Sequence, residues 1–462
     1  MNEIDGIGIK EGNRASRLVT MLARYRYAVA TVDQAAISLF NLALTFCLVR
    51  LLDAPAFGFV SLWMTVAVLV IDVQVPLVGL PLNVHVPGAA DKAARVRLEE
   101  AVTTVNFGLV IAAVAAIVAV SLFWDGDWVP RGWLIGTAVP LFIGVGLRRE
   151  YCRSLAYSRG DMVMLLLTDV PYLVITSACL LAMLLWPRHL AGIASAFLAM
   201  SFGGIASQLC LSIGAQLRRF ALGRKGWAAA YGGIFGEVGW AMTGVVSTHL
   251  QVRSYVYLTT YLVGLAGVAA LNAVGILFRP ITTFLTAWSR SALPQLAAAF
   301  AEGRVAAIDR ALLYGTAGAA AGSVGWCTTV WLMWGPIETH LFGHKYPDAE
   351  LLLLPWAIVS CSVAIEQIPA TMLQAARDFR FLAYVSLTCA PITAAATVVA
   401  ILWRGYTWTM YGAALGQVVG LAIVVCRLYQ VRQRLRARFA VAIARPADLT
   451  PGRPASDASA AQ

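Results

Sequence analysis

Three features of this 462-residue chain predict an all-α, polytopic membrane protein of about twelve transmembrane helices. Apolar residues make up 60 % of it and charged residues only 13 %, and the mean hydropathy is +0.74, far from the balance of a soluble domain. Twelve apolar stretches, most near the roughly 20 residues that a hydrocarbon core of about 30 Å requires, alternate with short polar connections. The basic residues collect in every second connection. Segments 1–27, 83–98, 148–162, 216–228, 291–310, 374–380 and 427–462 hold 27 of the 35 Lys and Arg residues. The intervening connections hold one each: Arg50, Arg131, Arg188, Arg253, Lys345 and Arg404. By the positive-inside rule both chain ends are expected in the cytoplasm.

The first span, 28–50, follows a polar, arginine-bearing segment (1–27) and is too long for the apolar core of a signal peptide. Spans 57–82, 99–123, 133–150, 163–185 and 190–215 complete a first lobe, 28–215. A basic linker, 216–228, carries Arg218, Arg219, Arg224 and Lys225. Spans 229–249, 264–290, 311–334, 350–373, 381–402 and 408–426 form a second lobe, 229–426. The cytoplasmic tail 427–462 ends in a Pro-, Ser- and Ala-rich stretch with the composition of a disordered terminus. Each lobe has an even number of spans, so any repeat between them is parallel, with its axis along the membrane normal. Two short basic turns after spans 4 and 10, Ser158-Arg159-Gly160-Asp161 and Ala376-Arg377-Asp378-Phe379-Arg380, support that repeat. Gly412, Gly416 and Gly420 in span 12, and Gly318 and Gly322 in span 9, recur every fourth residue, a spacing that lets helix backbones approach.

Polar residues inside the spans line up on particular faces. Span 1 carries Gln34, Ser38, Asn41 and Thr45 with Asp33 beside them; span 2 carries Ser61, Thr65, Asp72, Pro76, Gly79 and Asn83. Span 7 offers Glu237, Gly244, Thr248 and Gln251, and span 8 offers Asn272, Arg279, Thr283, Thr286 and Arg290, with Pro280 set to kink it. The same two helices of each lobe are therefore polar. Hydrogen bonding between packed helices accounts equally well for Ser, Thr and Asn alone. Intramembrane charge is costly without a role, so Asp33, Asp72, Glu237, Arg279 and Arg290 favour a central cavity lined by spans 1, 2, 7 and 8. Two arginines on one face suit an anionic ligand, because the guanidinium offers a planar fork of donors and stays charged. The three carboxylates are candidates for pairing with those arginines or for binding a coupling cation. Asp169 and Glu366 lie off the main stripes and are expected to pair helices.

Several classes of function are excluded or disfavoured. The net charge of +11 is spread over loops and tail, where it reports topology and contact with anionic lipid, not nucleic acid. No phosphate-binding loop, zinc motif or nucleophile elbow is present, so neither a cofactor, a metal nor catalytic residues are expected. The eight cysteines avoid outward loops, leaving no place for a disulfide framework. The longest outward connection, 335–349, is too short for the catalytic loop of a membrane oligosaccharide polymerase or ligase. Trp124, Trp128, Trp133, Trp186, Trp403, Tyr406 and Trp408, near span ends, read as an interfacial belt.

At span 1 the residues become more specific. Val32-Asp33-Gln34-Ala35, Asn41 and the run Arg50-Leu51-Leu52-Asp53-Ala54-Pro55-Ala56-Phe57-Gly58 resemble the start of polysaccharide transporters. These form the O-antigen and exopolysaccharide flippase branch of the multidrug/oligosaccharidyl-lipid/polysaccharide (MOP) exporter superfamily. Val49 and Asp53 stand where that family has Ala and Gly. Leu293-Pro294-Gln295-Leu296, Leu341-Phe342-Gly343-His344-Lys345-Tyr346 and Leu373-Gln374-Ala375 extend the likeness in order along the chain. The resemblance implies two six-helix lobes whose central cavity opens alternately to either side of a bacterial inner membrane. It further implies that the cargo is a polyprenyl-diphosphate-linked oligosaccharide, handed on to polymerase or export machinery. Basic residues near span 1 and in span 8 would hold the diphosphate, which maps onto Arg24 or Arg26 and onto Arg279, with Arg290 on the same face. Gln34, Asn41, Asn272 and Thr283 would then accommodate the hydrated glycan. The rival expectations are a cation-coupled multidrug exporter of the same superfamily and a scaffold subunit of a synthase complex.

Overall fold

The computed structural model describes residues 26–86, 91–213 and 227–444. Segment 1–25 (with Arg24), most of the linker and the tail beyond 444 lie outside the described residues, as do the side chains of Arg26 and Arg290. The first lobe contains α1 (Arg26–Leu51), α2 (Ala54–Gln74), α3 (Lys92–Phe123), α4 (Gly132–Arg159), α5 (Met162–Leu185) and α6 (Ile193–Ile213). The second contains α7 (Phe235–Leu262), α8 (Leu265–Ile276), α9 (Arg279–Ala301), α10 (Val305–Leu332), α11 (Leu353–Ala375), α12 (Phe379–Arg404) and α13 (Thr409–Ala444). No strand occurs among the described residues. Because α8 and α9 are the halves of one span bent by 54°, these helices make twelve long units, as the hydropathy pattern predicts.

Among the described residues, eight helices are each long and apolar enough to cross a membrane, nine with the bent pair, so the chain is a multi-pass membrane protein. Of the three units that fall short, α4 and α7 contain Arg148, Arg149, Glu150 and Arg153, and Glu237, His249, Gln251 and Arg253. Apart from exposed Glu237, much of this polarity faces the protein interior, as described below.

Local chemistry sets the helix ends. Asp53, Asp91 and Asp161 cap α2, α3 and α5 by accepting from the backbone N–H of Ala56, Ala94 and Met164. α4 stops at Gly160, whose φ of +65° is a left-handed turn that glycine adopts without strain. Pro76 and Pro81 remove two N–H donors after α2, and the chain continues as π-helical turns over Val75–Gly79 and Pro81–His85.

The lobes repeat one packing scheme. In the first, α1 packs on α5, α2 and α3 on α4, and both α4 and α5 on α6. In the second, α7 packs on α12, α9 and α10 on α11, and both α11 and α12 on α13. Span for span the two sets coincide, which is the parallel repeat expected from the even number of crossings. The α12–α13 seam depends on glycine: a Cβ at Gly416 would stand 1.8 Å from Thr393 Oγ1, and one at Gly412 would stand 2.5 Å from the Thr397 backbone. Gly318 and Gly322 have open space instead, so their spacing does not mark a helix contact.

Three differences from the sequence reading bear on the cavity: two helices run past their expected ends and carry arginines inward, and one span is broken. α7 runs on to Leu262 where a turn and outward loop were expected, because no Gly or Pro interrupts 245–263 and the chain turns only at Gly264 (φ +102°). This places Arg253 within a helix. α4 likewise continues to Arg159, carrying Arg149 and Arg153 with it. Span 8 is broken outright rather than kinked. Pro280 has no N–H for the carbonyl of Ile276, and the indole N–H groups of Trp326 and Trp356 donate to the carbonyls of Leu277 (2.8 Å) and Leu271 (3.0 Å) around the break.

Between the lobes, α2 packs against α8 and α7, and α1 touches α8 and the π turn Ile337–Phe342. At the end that carries few basic residues this contact is tight: a Cβ on Gly58 would lie 1.9 Å from the Leu265 carbonyl oxygen. There Arg50 also donates to the His340 carbonyl (2.8 Å).

Candidate functional site

The polar faces of α1, α2, α4, α7 and α9 converge on a cavity of about 460 Å³ between the lobes, and a second chamber of about 300 Å³ continues into the second lobe. Arg253, Asn272, Arg279 and Thr282 line both chambers and so mark their junction.

Arg279 owes its position to the break. As the first residue of α9, directly after the Leu277-Phe278 corner, it projects at the cavity and donates across the lobe boundary to Thr45 Oγ1 at 3.3 Å. Arg253, from the middle of α7, faces the same space. Neither guanidinium has a carboxylate within ion-pair distance among the described residues. Asn272 accepts from the hydroxyl of buried Tyr255 (2.9 Å), while its own amide nitrogen has no protein partner. Asn41 and Thr283 complete this wall.

The first lobe contributes a different group. Arg149 and Arg153, one turn apart on α4, bind the two oxygens of fully buried Asp169 at 2.6 and 2.9 Å. Arg153 also donates to Glu150 (3.0 Å) and Gln34 (3.3 Å) and lies 3.8 Å from Asp33. The Arg149 guanidinium rests on the Tyr172 ring, 3.7 Å from its centroid. Here both of these arginines are paired with carboxylates. In the second chamber Glu366 accepts from Gln417, and Gln367, Gln251 and Trp356 also line the wall.

Of the residues picked out from the sequence, Arg279, Asn41, Asn272 and Thr283 share the cavity wall, and Asp33 and Gln34 sit behind it around Arg153. Asp72 and Glu237 do not join them. Asp72 contacts His249 (2.7 Å) between α2 and α7, and Glu237 lies 3.2 Å from His85 with 72 % of its side chain exposed. Arg149, Arg153 and Arg253 were not singled out, because each was counted as a loop charge. The uninterrupted stretch from 245 to 263 was the one signal that could have recovered Arg253. Among the described residues, no group of three or more His, Cys, Asp or Glu side chains could hold a metal ion.

Twelve helical units in two repeated lobes around a polar, arginine-lined cavity define a transporter-type membrane fold. No family model and no curated protein matches the chain. Solved structures do. One described as the inward-facing conformation of a multidrug resistance MATE family transporter of the MOP superfamily is similar with a TM-score of 0.72 at 13 % identity, over 87 % of this chain and 95 % of that one. An outward-facing structure described in the same terms gives 0.61 at 14 % identity, over 90 % and 96 %. A MOP superfamily transporter from Pyrococcus furiosus, described as having a binding pocket of reverse polarity that suggests a different function, gives 0.58 at 13 %, over 90 % and 95 %. The fold is therefore the MATE-type fold of MOP superfamily transporters.

Proposed function

We propose that this protein is an alternating-access transporter that carries an anionic lipid-linked sugar, a polyprenyl-diphosphate-linked oligosaccharide, across a bacterial inner membrane for surface polysaccharide assembly. One observation carries the reading: Arg253 and Arg279 face a single cavity and, among the described residues, neither has a carboxylate within ion-pair distance, in a setting where uncompensated charge is expensive. An anion held at the junction of the chambers satisfies both. The neutral donors and acceptors around it (Asn41, Thr282, Thr283, Asn272, Gln251) suit a hydrated glycan. In this reading the positive-inside rule assigns the basic connections, and with them both termini, to the cytoplasmic side. The lipid tail stays in the bilayer, and polymerase or export machinery receives the flipped unit.

A second reading has an observation of its own. Glu366, Trp356 and Tyr255 all line the second chamber, which gives it the acidic and aromatic character that binds organic cations, and solved proteins of this fold are described as multidrug resistance transporters.

Thermal-shift titration of the purified protein separates the two. With farnesyl diphosphate as an anionic lipid probe and tetraphenylphosphonium as a cationic one, stabilisation by the diphosphate is expected, falling about tenfold or more in apparent affinity in Arg253→Ala or Arg279→Ala. Stabilisation by tetraphenylphosphonium alone, abolished in Glu366→Gln, would overturn the flippase reading in favour of drug export.

A further inference from the structure

We propose that His249 and Asp72 form a proton-binding site that latches the two lobes together. Asp72 is the single charged residue of α2, in the first lobe, and His249 lies in the middle of α7, in the second. Asp72 Oδ2 is 2.7 Å from His249 Nδ1, so the contact crosses the lobe boundary, and Tyr257 OH lies 3.0 Å from His249 Nε2. Any movement that separates α2 from α7 breaks the first contact.

The arrangement lets the imidazole gain or lose a proton without stranding a polar group. A carboxylate only accepts, so Nδ1–H donates to Asp72 in both states. In the neutral ring Nε2 accepts from the Tyr257 hydroxyl; in the charged ring Nε2–H donates to the same oxygen, and the hydroxyl simply turns. The ring is 1 % exposed while Asp72 is 33 % exposed, which gives the proton a route in through the carboxylate side. Neutral, the cross-lobe contact is one hydrogen bond; protonated, it is an ion pair, so acid strengthens the joined arrangement.

The surroundings carry few competing charges. α8 and the Val75–Gly79 turn have no charged residue. On α12, Tyr384 packs edge-on to Trp240, Arg380 and Arg404 sit near the two helix ends, and Cys389 is a thiol. On α13, Tyr411 packs on Trp408, Cys426 is exposed, and the first arginine is Arg427. On α7 itself Arg253 lies one turn from His249 and faces the cavity, Tyr255 is held by Asn272, Tyr261 is exposed and Glu237 is at the helix start beside His85.

The test is independent of what the protein carries. With the eight native cysteines replaced, nitroxide labels at Lys92→Cys and Ala301→Cys, one on each lobe, report lobe separation by pulsed electron resonance in nanodiscs. Between pH 5.5 and 8.5 the ratio of joined to separated populations is expected to fall about tenfold. His249→Gln should remove that pH dependence, and His85→Gln should leave it. Asp72→Asn provides the second variant if His249→Gln does not yield monodisperse protein. A wild-type distribution that ignores pH, a response that persists in His249→Gln or in Asp72→Asn, or one that disappears in His85→Gln, would overturn the proposal.

Discussion

The ammonium of Lys345 lies 2.7 Å from the carbonyl oxygen of Arg50, and it also donates to the carbonyls of Val49 (3.2 Å) and Leu52 (2.8 Å). A second-lobe lysine thus caps the last turn of α1, where carbonyls lack intrahelical donors and the helix dipole favours a cation. Burial and the neighbouring Arg50 hold this ammonium below the ordinary lysine pKa. The contact ties the lobes at the end of the bundle that carries few basic residues.

Removing that cap should favour opening at this end. Lys345→Met loses charge-assisted hydrogen bonds worth about 1.5–3 kcal/mol each at most. In protein whose other cysteines have been replaced, Asn41→Cys in the cavity should then react several-fold faster with an impermeant maleimide supplied from that side. An unchanged rate would show that Lys345 does not hold the lobes shut.

Gly58 is a second determinant of the same closure. A methyl group at this position meets the Leu265 backbone, which cannot rotate away as a side chain would. Gly58→Ala should therefore disfavour the closed arrangement while leaving each lobe intact. The same maleimide assay reads the shift, and Gly146→Ala, where a Cβ meets nothing within 4 Å, is the matched control.

The Asp169 network should prove structural. Asp169→Asn leaves Arg149 without the carboxylate it pairs with in a buried setting, while Arg153 keeps Glu150 and Asp33, at a cost of about 3–5 kcal/mol, so Tm should fall by several degrees. Arg149→Gln added to Asp169→Asn should restore part of the loss. If Tm is unaffected by the single change, water or ions already screen the pair.

Acid should release the end of α13. Burial opposes ionisation of Asp309, but hydrogen bonds from Arg436 and Arg432 outweigh it and hold the carboxyl below its usual pKa. A depressed carboxylate stabilises the folded arrangement above its unfolded value near 3.9 and loses that contribution as pH falls through the lower native value. Solvent screening limits the effect to under about 1 kcal/mol. Backbone amide exchange in 427–437 should accelerate on moving from pH 5 to pH 3 in wild type, beyond the intrinsic pH effect, and be fast at both in Asp309→Asn.

What the sequence determined by itself follows from the bilayer. Lipid solvates neither backbone nor charge, so apolar runs must become helices, their number is countable, and loop arginines report orientation. The twelve units, the two lobes and the cavity-facing Arg279, Asn41, Asn272 and Thr283 were legible on that basis. Arg149, Arg153 and Arg253 were not, because a charge beside an apolar run reads equally as the start of a loop or as a helix continuing into a water-lined cavity. Only packing distinguishes the two. Tertiary structure also decided which acid met which base: Asp72 faces His249, 177 residues away, and Asp169 takes both Arg149 and Arg153 of α4. Polar stripes show that intramembrane charges need partners, but the partners lie on other helices, and which helices touch is settled by side-chain shape, as where Gly58 admits Leu265.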